Sequence, residues 1–373
     1  MPRDIKHSPR LECLYRGVIV FFWGFSLCLF HSCQSKRPET AGYTPAFKPI
    51  YDTVNTLFVT GKTDAGLHYL DSAVGHIKNK SIDDRFRIYS FNYVWQKSKG
   101  NNEKALSYAD SMLSLAKKSV TNKQYVANYV EANMAIGDAD FAMQKFNDAY
   151  SHYFQGFRVG NNNLNKQALS DYSYRMGMIL YKMGHFKLAA DYFKECFRLN
   201  PNTTDKFADF YRNQEVLDNI ALSYKHNNEP DSAIFYFNKT LKYIDNDGFA
   251  FKNRAKMLEV AKGVVFGNKA EVLIAQKDTT GAIQLLKKSI AVNLQKGNDN
   301  NDAELAEIKL AGLYFDRHED ALMYTLLSAL RLQLDDVKNE AAEVDWNRMM
   351  SRYYLRKKDF HKSLAYLQTF NIN

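Results

Sequence analysis

The 373-residue sequence predicts an all-α protein. Hydrophobic residues make up 46% of the chain, enough apolar surface to exclude a disordered polymer. Of seven prolines, five lie at or before Pro49, and the chain from Ile50 onward holds Pro201 and Pro230 only. A β-sandwich or an α/β enzyme of this length would use proline more often to preset turns and stop helices. Beyond Phe47, apolar residues recur at offsets of three, four and seven, the pattern of one buried helix face. The 24 Tyr, 25 Phe and 3 Trp supply bulk for helices that interlock.

The first 33 residues read as a signal peptide. A polar, basic start is followed by the apolar run Gly17 to Phe30, then His31-Ser32-Cys33 and an abrupt polar turn. Fourteen residues suit the apolar core of an export signal, whereas a membrane-spanning helix needs about 20. A short apolar run closing on a small residue and then cysteine resembles the bacterial lipoprotein signal. That resemblance implies that Cys33 is lipidated and becomes the mature N-terminus, and that residues 34–46 form a flexible tether. An uncleaved signal anchor and ordinary secretion are the other outcomes of the same pattern.

Residues 47–373 repeat themselves. A small residue late in one amphipathic segment is followed, after a polar turn, by a second small residue twelve positions on. The pairs are Tyr93/Ala105, with Tyr93 a poor small residue, Gly137/Ala149, Gly177/Ala189, Ala221/Ala233, Ala270/Ala282 and Ser351/Ser363. Ala311/Ala321 forms a shorter seventh pair, and an incomplete earlier copy sets Val54 twelve before Gly66. The spacing has a mechanical cause: antiparallel helices joined by a tight turn approach closely only where side chains are small, while large ones interlock beside them. Leu180, Tyr224, Leu273, Tyr314 and Tyr354 are the large residues of the first helices. Tyr153, Phe193, Phe237, Leu286 and Leu367 are those of the second. Turns such as Met183-Gly184-His185 and Asn227-Asn228-Glu229-Pro230 have suitable chemistry.

These residues resemble the tetratricopeptide repeat (TPR) family. The clearest copy runs from Ser170 to Asn202, where Met176-Gly177, Leu180, Gly184, Ala189, Phe193 and Leu199-Asn200-Pro201 fall on the family pattern. The second-helix small residues recur at intervals of 39 to 49, against a typical period of about 34, so helices or connections are lengthened. In this the array resembles the exported TPR lipoproteins and sensor regions of Bacteroidetes-type envelopes. The resemblance implies an α-solenoid of about eight helix-turn-helix repeats forming a right-handed superhelix, its first helices lining a concave groove. It places Tyr174, Met178, Tyr181 and Lys182 on that groove, with Glu215, Asp218, Leu222 and Lys225 from the next repeat. Aromatic, methionine and charged residues together suit a protein or peptide partner.

Other chemistry is sparse. The sequence holds none of the short catalytic motifs of zinc proteases, α/β-hydrolases, P-loops or dinucleotide folds, so neither an enzyme, a cofactor nor a metal site is expected. The nine histidines are scattered, and the four cysteines give no disulfide framework. The formal net charge of +9 includes +2 from the first 33 residues and is otherwise spread thinly, which argues against nucleic-acid binding. One basic stripe stands out: Arg348, Arg352 and Arg356 share a helix face, continued by Lys357, Lys358 and Lys362 and diluted by Asp345 and Asp359. An acidic partner, lipid head groups or plain solvation are its readings. The last repeat stops within its second helix, Phe360 to Asn373, leaving Leu364, Leu367 and Phe370 as an apolar edge. Self-association or a partner is expected there.

The combined expectation is a non-catalytic, exported scaffold, membrane-anchored in the cell envelope as a periplasmic or outer-membrane lipoprotein. The alternatives are the periplasmic input region of a transmembrane signalling or transcription regulator and an outer-membrane assembly lipoprotein. Cys33→Ala is expected to move the protein from the membrane pellet to the soluble fraction of lysed cells. An unchanged pellet fraction would exclude lipidation at Cys33.

Overall fold

A computed structural model describes residues 42–117, 125–160, 162, 164–199, 203–295, 301–336 and 339–372. The proposed signal peptide, Cys33 and most of the tether lie outside them. Among the described residues, sixteen α-helices follow one another as eight hairpins. The first four pair α1 (Lys48–Val59) with α2 (Thr63–Val74), α3 (Ile82–Ser98) with α4 (Asn102–Lys117), α5 (Val126–Ala142) with α6 (Phe146–Gly160), and α7 (Lys166–Lys182) with α8 (Phe186–Leu199). The others pair α9 (Lys206–His226) with α10 (Pro230–Asp247), α11 (Ala255–Ala275) with α12 (Thr279–Asn293), α13 (Asn301–Asp316) with α14 (Asp320–Asp336), and α15 (Glu340–Arg356) with α16 (Phe360–Ile372). The expected TPR-like α-solenoid is therefore the observed fold. It divides into two compact units, one ending at Val216 and one beginning at Leu217.

Every hairpin turn solves the same backbone problem in the same way. One residue per turn takes a left-handed conformation: Gly61, Gly100, Gln144, Gly184, Asn228, Lys277, His318 and Lys358. The next residue then donates its amide to the carbonyl five positions back, as in His185 to Leu180 and Glu319 to Tyr314, at 2.8 and 2.9 Å. This closing bond satisfies carbonyls that the end of a helix leaves without partners. Five of the eight left-handed positions carry a side chain, at a cost of about 1 kcal/mol or more each relative to glycine.

The small-residue pairs sit where their spacing requires. Ala105, Ala149, Ala189, Ala221, Ala233, Ala270 and Ala282 are all fully buried. A Cβ on Gly137 would lie 2.4 Å from the Tyr153 ring, and one on Gly177 would lie 2.7 Å from that of Phe193. Ser351 and Ser363 fill the last pair and exchange hydrogen bonds with each other's carbonyls at 2.9 and 3.0 Å. One pair is corrected by the structure. Ala321 is exposed, and the residue facing Ala311 is the buried Met323, which restores the interval of twelve in the seventh hairpin. The flexible methionine fits a slot that alanine fills elsewhere. Val54, buried twelve before Gly66, completes the first hairpin.

The long intervals have local causes. Both α9 and α11 run to 21 residues, and a 3-10 segment, Gly248–Arg254, with non-helical dihedrals at Phe251, is inserted between α10 and α11. At the other end of the array, Tyr43 and Thr44, within the segment read as tether, pack on the first two hairpins. Tyr43 stacks on Tyr51, with ring centroids 4.9 Å apart. Thr44 donates its amide and hydroxyl to the buried Asp84, which also closes the capping box of α3 with Ser81.

The pair geometry makes a direct prediction. Gly137→Val is expected to lower the unfolding free energy by about 2 kcal/mol or more through overpacking against Tyr153. Gly75→Ala, whose added Cβ meets nothing within 4 Å, is expected to be neutral or mildly stabilising. Urea titrations of both variants check the contrast.

Candidate ligand-binding face

In the N-terminal unit, the first helices of successive hairpins carry charges that meet one another. Arg87 on α3 grips Glu131 on α5 with both terminal nitrogens, at 2.8 and 3.2 Å, and Ser90 donates to the same carboxylate at 3.0 Å. Asp138, about two turns further along α5, takes four hydrogen bonds. Lys97 of α3 donates at 3.1 Å, Arg175 of α7 at 2.7 and 3.1 Å, and the Tyr153 hydroxyl at 2.7 Å. Burial alone would push this carboxyl up, but Arg175 and Lys97 outweigh it and hold it well below the usual carboxylate range. On α9, Arg212 stacks over the Tyr174 ring, 4.1 Å from its centroid, while the Tyr174 hydroxyl donates to Glu215.

The C-terminal unit builds the same clamp from different residues. Glu271 on α11 is held between Lys225 of α9 and Lys309 of α13. Burial opposes its ionisation, yet the two ammonium groups bring it down to about 2. The offsets agree residue for residue. Lys97 and Lys225 stand four after the small residue of their first helix, Asp138 and Glu271 one after theirs, and Arg175 and Lys309 two before theirs. In each unit, then, one carboxylate staples three consecutive repeats by accepting from a cation on either side.

Between these posts, α3, α5 and α7 leave a cavity of about 60 Å³. Met134, which falls between Glu131 and Asp138 along α5, lines it together with Ser90, Tyr93, Tyr172 and Arg175. Tyr93 is buried there, and its hydroxyl finds no hydrogen-bond acceptor. Its charged neighbours are Lys97, Asp138 and Arg175, and burial pushes the phenol up to about 12. No residue of α3 from Phe86 to Ser98 is fully exposed, nor any of α5 from Val126 to Phe141, so this face is narrow and tightly walled.

The structure distributes the groove residues named from the sequence over both units. In the N-terminal unit Tyr174 and Glu215 meet as described, and Met178 is buried. Tyr181 packs edge-on against Phe186 of its own hairpin at 5.4 Å. Lys182 lies half-buried, its ammonium pushed below its ordinary range by burial. In the C-terminal unit Asp218 accepts from Asn268 at 2.9 Å, Leu222 packs around the buried Ala221, Ala233 and Phe237, and Lys225 belongs to the clamp on Glu271.

The basic stripe is matched by acids and rings. Arg348 pairs with Asp345 at 2.9 Å. Arg352 lies over the Phe315 ring, 3.5 Å from Asp316. Arg356 covers the same ring and donates to the Phe315 carbonyl and to Asp320, at 2.7 and 2.9 Å. Cys196, buried beside Ser170, has its thiol pushed up to about 11 by burial. Among the described residues there is no cluster suited to a metal ion, and no helix is long and apolar enough to cross a membrane.

Of the clamp residues the sequence reading names Lys225 alone, although a signal for this face exists. Arg87, Glu131, Asp171 and Glu215 each stand six before the small residue of four successive first helices. A charge recurring at a fixed offset from the packing motif marks the face on which first helices meet.

The tetratricopeptide repeat family matches residues 170–203. No curated protein sequence matches the chain. Among solved structures, the apo form of RapI superposes with a TM-score of 0.69 at 9% identity, over 86% of each chain. A signal transduction ATPase of Pyrococcus horikoshii with a tetratricopeptide repeat sensor superposes at 0.63 and 12% identity, over 86% of this chain and 46% of that one. The apo quorum sensor NprR of B. thuringiensis gives 0.57 at 10% identity, over 87% and 97%. NprR in complex with its cognate peptide NprX gives 0.53 at 12%, over 87% and 88%. At these identities the likeness establishes the fold.

Asp138→Asn leaves two half-buried cations without their carboxylate and is expected to cost about 2 to 4 kcal/mol of stability. Asp64→Asn, at the exposed pair with Lys99, is expected to leave stability nearly unchanged. Chemical denaturation of the two variants separates a stapling carboxylate from a surface pair.

Proposed function

We propose that this chain is a non-catalytic scaffold that binds an extended peptide or a protein segment on the α3–α5–α7 face of its N-terminal unit. The observation that carries the reading is the cavity along α5. It offers an apolar lining at Met134, aromatic rings at Tyr93 and Tyr172, and fixed polar posts at Glu131 and Asp138. An extended backbone needs such alternation: apolar slots for side chains and rigid hydrogen-bonding groups between them. The ion pairs preorganise the face, so little side-chain entropy is lost on binding. NprR, a fold neighbour, is known in complex with its cognate peptide, which supports a peptide as the ligand class.

The scaffold works in the cell envelope, exported by residues 1–33 and held to a membrane through lipid on Cys33. The support is the apolar run and its cysteine. Self-association through α16 belongs to the same proposal, supported by the exposure of Leu364 and Leu367. A second reading is favoured by the likeness to a signalling ATPase whose repeats form its sensor: the chain is the input region of a signalling protein.

Panning a display library of linear peptides against the full chain tests the binding face. Enriched peptides are expected to lose at least about tenfold in affinity with Met134→Glu, which puts a charge in the apolar lining. Peptides that bind the variant as tightly as the parent would move the site elsewhere.

A further inference from the structure

In the seventh hairpin, two carboxylates occupy positions that are uncharged in every other repeat. Glu304 stands seven before Ala311 and Glu307 four before it. The equivalents of Glu304 include Phe47, Phe86, Val130 and Ser170, and those of Glu307 include Ile50, Asn133 and Ser173. Both glutamates are buried, 0% and 3% exposed, so this is a substitution of charge into helix-packing positions. Such a group is costly when ionised unless a cation meets it.

No cation does so for Glu307. The Gln333 side chain of α14 hydrogen-bonds to it, while Glu307 Oε2 and Gln333 Oε1 both lack a donor. The cations of the elements around α13 are engaged elsewhere. Lys309 and Lys225 hold Glu271, Lys287 of α12 lies over the Tyr314 ring, and Lys288 lies over that of Phe266. Arg331 of α14 pairs with Asp335 and with Glu343 of α15, and Arg348 of α15 pairs with Asp345. The charge that does act on Glu307 is Glu304, of the same sign and one turn away. Two acceptor oxygens without donors beside a second carboxylate describe a site that lacks a proton.

Glu304 also reaches the next repeat. Its Oε2 accepts from Asn339 Nδ2 at 2.5 Å, and Asn339 caps α15 by accepting the Ala342 amide at 3.2 Å. The carboxylate pair thus touches α14 through Gln333 and the start of α15 through Asn339.

We propose that Glu304 and Glu307 form a proton-operated latch: one proton held on the pair seats α13 against α14 and the start of α15, and its loss loosens that packing. The sign follows from the folded state holding the proton more tightly than the opened state. Burial and then Glu304 push Glu307 up to about 7, even though Gln333 works the other way. An exposed glutamate titrates near 4.3. The latch is therefore closed at acidic pH, weakens as pH rises between the two values, and weakens no further above the upper one.

Hydrogen–deuterium exchange on the full chain, corrected for intrinsic rates, reads the opening of each helix. Between pH 5.5 and pH 8, amides of α13 and α14 are expected to open on the order of tenfold more often, with α3 to α7 unchanged. Glu307→Gln, permanently uncharged, is expected to abolish that pH dependence. Equal pH profiles for parent and variant would overturn the latch. Should the variant fail to fold, carbon-13 NMR of the glutamate carboxyls in the parent decides. A buried carboxyl titrating near neutrality is expected, and midpoints all below about 5.5 would overturn the proposal.

Discussion

A repeat array has no long-range core, so everything depends on how one hairpin is fixed to the next. In this chain the fixing element is a carboxylate on a middle first helix, clamped by cations from the repeats before and after it. Asp138 with Lys97 and Arg175 is one instance, and Glu271 with Lys225 and Lys309 is the other, at identical offsets from the packing motif. A cation–carboxylate pair in a half-dry setting is strong only when its remaining hydrogen-bonding capacity is also met. Asp138 meets that condition through a third partner, Tyr153, whose ring fills the space left by Gly137. The small-residue rule within a hairpin and the charge rule between hairpins therefore converge on one tyrosine.

That convergence links packing to the proposed binding face. The same residues that staple three repeats also form the posts of the cavity along α5, so the face is rigid before any ligand arrives. Its polarity is fixed by groups already saturated by one another, with the Tyr93 hydroxyl left without an acceptor. A partner would meet apolar slots and preset dipoles, with few mobile charges to desolvate. On the second helices of the hairpins, Phe154 and Leu188 are substantially exposed.

Much of the fold was legible because its determinants are local. The interval of twelve follows from two helices and one tight turn, and pairs of small residues at that interval located five of the eight hairpins, with Tyr93 and Val54 as larger partners in two more. It failed at Ala321 because composition there misleads. A convenient alanine lies two residues early, and the true occupant, Met323, is large but flexible enough for the slot. The left-handed turn positions were legible as glycine or asparagine at Gly184 and Asn228. At Lys277 and His318 they were hidden, since the closing backbone bond of the turn holds ordinary residues there at a cost.

The candidate site was less legible. A groove inferred by resemblance names positions, and whether a residue there is available depends on its neighbour one repeat away. Tyr174 and Lys225 stand on the inferred positions but are committed to Glu215 and Glu271, some forty residues distant in sequence. The basic stripe likewise looked free because its acids, Asp316 and Asp320, lie on the preceding hairpin. Charge pairing across repeats is a nonlocal property, visible in sequence only as a recurrence at fixed offsets.

The claim that such clamps hold neighbouring repeats is tested most directly by a double-mutant cycle on Lys225 and Glu271, with Lys225→Met, Glu271→Gln and the double variant compared by chemical denaturation. The account predicts a coupling free energy of about 1 to 3 kcal/mol. Additivity within about 0.5 kcal/mol would contradict it, showing that the repeats are held by apolar packing and that the clamp is incidental.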